Sequence, residues 1–269
     1  MITILLGIIA AGLGYLAGDF FLESYVWGLT FAVAGFAIIN IPLNLLIKRR
    51  LQKLFTGIQS QIQQQQNQIQ QRMNQLQNQG GGSAKGMQKQ MEKKQTQAIK
   101  DALAQLEDSG HLAKWNFLAG KQLDTLKGQL AFQIQNFEQA DKYLENAMNS
   151  DPMTVGMKMV RAYKHADWNK LRKLYKKGRR RFKDENSILI YALYSWILVK
   201  ENMIDEAIEV LVKGKDDTES EVLANNWNYL VNGQVRKFSN AGLGDNWYAL
   251  QLERPKAGKT RQRKSARRR

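Results

Sequence analysis

Hydrophobic and polar residues are unevenly distributed along this chain, and their order predicts its first element. Residues 2–18, ITILLGIIAAGLGYLAG, are apolar throughout and would span about 26 Å as a helix. Residues 26–47 form a second apolar stretch, which would be about 33 Å long as a helix. Only DFFLESY separates the two stretches. The pattern predicts a transmembrane helical hairpin over residues 1–47.

Small residues recur four positions apart within both apolar stretches, as in Gly7/Ala11, Gly14/Gly18 and Gly28/Ala32. In membrane helices such spacing permits close helix approach, although Gly and Ala are also simply common there. Asn40 needs a polar partner if it lies in lipid. We therefore expect Gly14, Gly18 and Asn40 to lie where the two helices meet.

The charges that flank the hairpin predict its orientation. Basic residues cluster at 48–53, whereas the connecting loop contains Asp19 and Glu23. The positive-inside rule then places both termini in the cytoplasm, in a multi-pass protein of a bacterial inner (plasma) membrane. A cleaved signal peptide is the competing interpretation of the first stretch, but neither a preceding basic residue nor a small-x-small cleavage pattern supports it.

Residues 48–79 are dominated by glutamine, a good helix former. Phe55, Ile62, Ile69 and Leu76 are seven residues apart, with Ile58 at the other seam position, which is a weak heptad pattern. We interpret the segment as a helical stalk that continues from the membrane. A single polar stalk, a homo-oligomeric coiled coil and a disordered segment remain alternatives.

The sequence GGGSAKG, residues 80–86, predicts a flexible glycine-rich hinge after the stalk. From residue 87 to 253 the apolar residues recur at helical spacing, and strand-like alternation is nearly missing. The whole chain contains only three prolines, which favours long helices. We therefore expect an all-α protein whose helical domain covers residues 87–253.

The segment LKGQLAFQIQNFEQADKYLENAMNSDP, residues 126–152, resembles a tetratricopeptide repeat. The matching positions are Gly128, Phe137, Ala140, Leu144, Ala147 and Pro152. The first helix departs from the family pattern, because Ala131 stands where Tyr is expected and Asp124 where Trp is expected. The resemblance implies pairs of antiparallel helices stacked into an α-solenoid.

Two later segments repeat the pattern more loosely. Trp168, Leu171, Tyr175 and Gly178 align with Phe137, Ala140, Leu144 and Ala147, and so do Ile204, Ala207, Leu211 and Gly214. Leu171 replaces a small residue of the family pattern. The resemblance covers about residues 113–232 and implies a protein-binding role. We expect the aromatic cluster at 247–252 to cap the stack, with a ligand-binding patch as the alternative.

The net charge of +16 is concentrated in two places. Residues 158–183 contain twelve Lys or Arg residues and one acid, Asp167. The tail, residues 254–269, carries nine basic residues and no acid, and we expect it to be disordered. An ordinary solvated helix face is the alternative to anion binding. The candidate anion-binding residues are Lys176, Lys177, Arg179, Arg180, Arg181, Lys183, Arg267, Arg268 and Arg269.

The sequence offers little for catalysis. It has no cysteine, and its two histidines, His111 and His165, lack metal-ligand spacing and are expected at the surface or in a linker. The stretch AGKT at 257–260 lacks the earlier glycine and the strand of a phosphate-binding loop. We expect no enzyme activity, no metal site and no cofactor.

These observations predict a membrane-anchored adaptor or scaffold whose helical repeats bind protein partners. The alternative is a membrane tether for nucleic acid, which would be held by the 158–183 face and the tail. A homo-oligomeric structural component assembled through the stalk is a third hypothesis. Anionic lipid is a further candidate ligand of the basic face.

Overall fold

The computed structural model of the chain describes residues 2–22, 25–78 and 84–255. Helices and turns account for these residues, and no β-strand occurs among them. The all-α prediction is therefore confirmed for this part of the chain. The chain divides into two compact units, Met1–Met148 and Asn149–Arg269, which we call the N-terminal and C-terminal units.

The described part of the N-terminal unit contains six helices. They are α1 (Ile2–Leu22), α2 (Tyr25–Asn78), α3 (Ala84–Asp108), α4 (His111–Trp115), α5 (Phe117–Gln133) and α6 (Phe137–Asn146). Helix α1 packs along the first part of α2, and α3 packs against both α2 and α5. Helices α5 and α6 form an antiparallel pair.

Helix α1 and the part of α2 up to Ile47 form what we call the apolar hairpin. The spans Ile2–Phe20 and Tyr25–Gln68 each contain a stretch long and apolar enough to cross a membrane. Only 17% and 11% of the residues in these apolar stretches are buried. A core helix of a soluble protein would bury most of its residues, so the hairpin presents apolar side chains outward along its length. Two helices suited to a membrane are present, as predicted.

The glutamine-rich part of α2 does not stand alone as a stalk. Helix α3 buries an apolar face made of Ala98, Ile99, Ala102, Leu103 and Leu106. In α2, the predicted seam residue Ile58 is buried, as is Leu51, whereas the predicted seam residues Phe55 and Ile62 are half-buried. The side chains of Ile69 and Leu76 lie outside the described residues, and α3 of the same chain packs against α2.

Helix α3 also changes the predicted hinge and boundary. It begins at Ala84, so residues 84–86 are helical, while residues 80–83 of the predicted hinge lie outside the described residues. The side-chain amide of Gln105 donates to Gln61 at 3.3 Å, which ties α3 to α2. Helix α2, which precedes the expected boundary at residue 87, and helix α3, which contains it, pack against each other within the N-terminal unit.

The C-terminal unit continues with helices joined by short turns. They are α7 (Pro152–Lys164), α8 (Trp168–Arg181), α9 (Ile188–Lys200), α10 (Ile204–Thr218), α11 (Glu221–Val231) and α12 (Asp245–Tyr248), with 3-10 turns at Asp184–Ser187, Val235–Lys237 and Ala241–Leu243. Helix α9 contacts α7, α8, α10 and α11. The core of the unit surrounds α9, which is buried on nearly every side.

The same turn recurs at the end of four helices. Gln135, Ala166, Asn202 and Gly233 follow α5, α7, α9 and α11 and have positive φ values of 61°, 54°, 60° and 68°. Each donates its amide to the carbonyl three residues earlier, and the next amide donates to the carbonyl five residues earlier. This is the Schellman arrangement, which satisfies the last carbonyls of a helix. The same capping turn thus ends α5, α7, α9 and α11.

Candidate functional surfaces

Close backbone approach holds the two helices of the apolar hairpin together. A side chain at Gly14 would meet the backbone carbonyl of Phe31, and a Cβ at Gly18 would lie 2.8 Å from the Cα of Gly28. Asn40 is buried, and its side chain lies against Gly7 of α1. The amide of Asn40 also donates to the carbonyl of Phe36 at 3.1 Å. The structure thus places Gly14, Gly18 and Asn40 in the contact between the helices.

Both helices of the hairpin are hydrogen-bonded to the junction between α4 and α5. The hydroxyl of Thr3 donates to the carbonyl of Trp115 at 2.9 Å. The side-chain amide of Asn116 donates to Oδ1 of Asn44 at 2.5 Å, and its side-chain oxygen accepts from the amide of Leu118 at 2.7 Å. Asn116 therefore caps α5 and attaches it to the end of the hairpin.

The α5–α6 pair crosses where the resemblance placed its small residues. A Cβ at Gly128 would lie 2.8 Å from Cδ2 of Leu144, so the helices approach closely at this point. Ala140, Leu144 and Ala147 are buried. Phe137 begins α6 and packs edge-on against Phe132 with 5.5 Å between ring centroids.

The α7–α8 pair begins at Pro152, which occupies the first turn of α7 after the capping residue Asp151. In α8, Leu171 and Tyr175 are buried, whereas Trp168 is half-buried. The Trp168 ring packs edge-on against Tyr163 with 6.1 Å between centroids. Leu171 is fully buried, so the larger residue at this position is accommodated in the core.

Two glycines occupy equivalent places in the second helices of successive pairs. A Cβ at Gly178 of α8 would lie 3.2 Å from Ile190 of α9 and 3.4 Å from Val155 of α7. A Cβ at Gly214 of α10 would lie 2.9 Å from both Tyr191 of α9 and Leu223 of α11. Each glycine therefore lets a second helix approach its own first helix and the next one. Ala207 and Leu211 of α10 are fully buried nearby.

Residues 239–253 lie against α7, α9 and α11, and the capping role expected for the cluster at 247–252 stays a prediction. Trp247 is fully buried and packs against Trp196 of α9, with 5.8 Å between ring centroids. Leu250 lies against Gly156 of α7. The two carboxylate oxygens of Glu253 accept from the indole nitrogens of Trp196 and Trp247 at 2.8 and 2.9 Å. Val231, the last residue of α11, and Val235 in the turn that follows are exposed.

The basic residues of α8 divide between two environments. Lys177, Arg180 and Arg181 line a surface recess of about 390 Å³ together with Asn149 and Leu174. Lys176 and Lys183 are also exposed, and Arg179 is half-buried. Lys158, at the start of the basic region, is buried and donates to Asn149 at 2.7 Å. Arg267, Arg268 and Arg269 lie outside the described residues.

A tyrosine cluster lies beneath the basic helix. The rings of Tyr175 and Tyr194 are stacked with centroids 4.0 Å apart, and the Tyr191 hydroxyl donates to Asp217. Burial raises the pKa of Tyr175 to about 12, although the guanidinium of Arg179 acts in the opposite direction. Burial and the bond to Asp217 raise the pKa of Tyr191 as well. Arg179 thus faces the tyrosine cluster rather than the recess.

Exposed aromatic rings would help the basic region to stack on nucleic-acid bases. Tyr175 and Phe182, the aromatic residues closest to the basic run, are both buried.

In the part of the chain that the structure describes, no group of three His, Cys, Asp or Glu side chains is arranged to hold a metal ion. His111 contacts the carbonyl of Asp108 at 3.1 Å, and His165 contacts Arg161.

Comparison with known proteins finds no matching family profile, no matching curated protein and no matching solved structure.

Proposed function

We propose that this protein is a membrane-anchored adaptor. Its apolar hairpin crosses a bacterial inner membrane twice, both termini are cytoplasmic, and its paired helices bind protein partners at the membrane surface. The observation that carries the proposal is the junction at Asn116. This residue bonds to Asn44 of the outward-facing apolar hairpin and also caps α5, the first helix of a pair. The anchor and the first helix pair, α5–α6, are therefore parts of one unit.

The paired helices support a role in protein binding rather than in catalysis. The recurring turns at Gln135, Ala166, Asn202 and Gly233 are 31, 36 and 31 residues apart, around the 34-residue period of the tetratricopeptide family. Helical repeats of this kind present extended surfaces to other proteins. Because residues 239–253 cover α7 and α9, a partner would bind elsewhere on the unit or displace this segment.

A cross-linked purification of the full chain from membranes, with and without nuclease, tests the adaptor proposal. We expect a small set of specific proteins that persists after nuclease treatment. Recovery of the chain in the soluble fraction, or a periplasmic response from a reporter fused after residue 269, would contradict the anchoring and its orientation. Recovery of the chain from membranes with no associated protein would contradict the adaptor role.

The recess lined by Lys177, Arg180 and Arg181 favours a second candidate, a membrane tether for nucleic acid. Replacing these three residues with glutamine should then abolish salt-sensitive binding of nucleic acid. A matched control replaces Lys89, Lys93 and Lys94 of α3, which are also exposed, and removes the same charge. Equal losses in both variants would indicate net charge alone, and retained binding in the α8 variant would refute a tether through this recess.

A further inference from the structure

The junction between α4 and α5 carries an exposed apolar patch. It consists of Trp115, Phe117 and Leu118, whose side chains are 37%, 49% and 53% exposed, and we call it the junction patch. Soluble proteins seldom leave three neighbouring large apolar side chains in water without a binding role.

The hydrogen bonds at the junction fix the position of this patch along the hairpin. Thr3 lies at the start of α1, and Asn44 lies four residues before Lys48 in α2. Both bond to the junction, at Trp115 and Asn116. The junction patch is therefore level with the end of the hairpin where the apolar sequence gives way to basic residues.

A recess of about 470 Å³ connects the junction patch with the hairpin surface. Ile4 and Ile47 line it from the hairpin side, and Phe117 and Leu118 line it from α5. Beyond it, the outward-facing residues of the hairpin, such as Ile8 and Ile41, are 61% exposed. The apolar surface of the hairpin thus continues onto the start of α5.

Basic residues border the junction patch. Lys48 lines the recess, Lys114 next to Trp115 is exposed, and Nζ of Lys121 lies 4.4 Å from the ring centroid of Phe117. A Trp and other apolar side chains next to lysines and arginines are typical of protein surfaces at the boundary between lipid headgroups and acyl chains. The basic side chains would face the phosphates of anionic lipids at that depth.

We infer that the junction patch inserts into the headgroup region of the same leaflet in which the hairpin ends, as a third membrane contact. The inference rests on the proposed anchoring of the hairpin. A bilayer fits the patch because it meets the hairpin and the patch as one continuous apolar surface. Insertion would fix the start of α5 at the membrane rather than leave the α5–α6 pair to move freely.

The chain has no cysteine, so single cysteines can be introduced for spin labels. The test places a label at Leu118→Cys in the full chain, reconstituted into vesicles of phosphatidylcholine and phosphatidylglycerol. Val33→Cys, on the outward face of the hairpin at 66% exposure, is the lipid reference. Glu145→Cys, exposed on α6, is the water reference. Collisions with oxygen report lipid, and collisions with a water-soluble nickel chelate report solvent.

We expect the label at residue 118 to lie between the two references, with more relaxation by oxygen and less by nickel than at Glu145, and with more relaxation by nickel than at Val33. A lipid signal at Val33 with a solvent signal at Leu118 would overturn the junction-patch inference and leave the anchoring intact. Solvent signals at both positions would overturn the anchoring itself. Dipolar broadening at Leu118 that disappears on dilution with unlabelled protein would show that a second copy covers the patch, which also overturns the inference.

Discussion

The side chain of Asn116 forms two hydrogen bonds, one with Asn44 of α2 and one with the backbone of Leu118 in α5. Its nitrogen lies 2.5 Å from Oδ1 of Asn44, and its oxygen lies 2.7 Å from the backbone nitrogen of Leu118. The first bond joins α5 to the apolar hairpin, and the second caps α5. An aspartate would keep only the acceptor, and an alanine would keep neither. Asparagine provides both functions in one residue.

Replacing Asn116 with alanine should therefore destabilise the N-terminal unit. We expect a loss of about 1–2 kcal/mol for the cap and an additional smaller loss for the unpaired Asn44. Asn116→Ser is the matched control, because it keeps a capping oxygen but cannot reach Asn44. Thermal unfolding in detergent, followed by circular dichroism, should rank wild type above the serine variant and the serine variant above alanine. Equal melting temperatures of the two variants would contradict the role of the cap.

Gly214 provides a test of the close packing between helix pairs. A Cβ there would lie 2.9 Å from both Tyr191 and Leu223, so Gly214→Ala forces these buried side chains to move. We expect a loss of about 1–3 kcal/mol. Gly57→Ala is the control, because nothing lies within 4 Å of a Cβ at this helical position. The control should be neutral or up to about 1 kcal/mol more stable, since alanine favours helix. Stabilisation by Gly214→Ala in urea unfolding would contradict the packing.

Short-range patterns of the sequence predicted the helices well. Apolar runs, helix-forming glutamine and the scarcity of proline are local properties, and they indicated the all-α fold and the hairpin. The turns between paired helices were also signalled locally. Asn136 and Asp167 cap the second helices of two pairs and stand in the repeat-like segments.

Contacts between distant segments could not be predicted in the same way. The heptad that contains Phe55, Ile58 and Ile62 indicated a seam on α2, but which of these residues is buried depends on where α3 returns. The aromatic residues near 247 indicated a buried cluster without showing which helix they cover. Asn116 carried a recognisable signal, a capping residue before a helix, whereas its partner Asn44 is 72 residues away.

Glu253 joins the C-terminal segment to α9 through its two carboxylate oxygens. Replacing it with glutamine leaves one oxygen, so either Trp196 or Trp247 loses its acceptor and faces an NH₂ group instead. We expect a loss of about 1–3 kcal/mol, because both indole rings are buried. Limited proteolysis should then cut within residues 232–253 faster than in wild type. Glu209→Gln, which removes an exposed charge from α10, is the control and should leave the cleavage rate unchanged.

The buried tyrosines predict a loss of stability at alkaline pH. The pKa values of Tyr143 and Tyr175 are raised to about 12, mainly by burial, whereas an unfolded tyrosine titrates near 10. Below about pH 10 both folded and unfolded states keep these protons, so the contribution to stability is fully present. Between about pH 10 and 12 the unfolded state releases protons that the folded state retains, so the free energy of unfolding falls as the pH rises.

Tyr175→Phe should reduce this alkaline loss, because phenylalanine keeps the ring in place and has no proton to release. Tyrosinate absorbance of the folded wild type should therefore continue to rise towards about pH 12, above the ordinary range of tyrosine. Unfolding in urea at about pH 7 and about pH 11 should show a smaller difference for the variant than for wild type. An equal difference in both proteins would mean that ionisation of Tyr175 does not contribute to the alkaline instability.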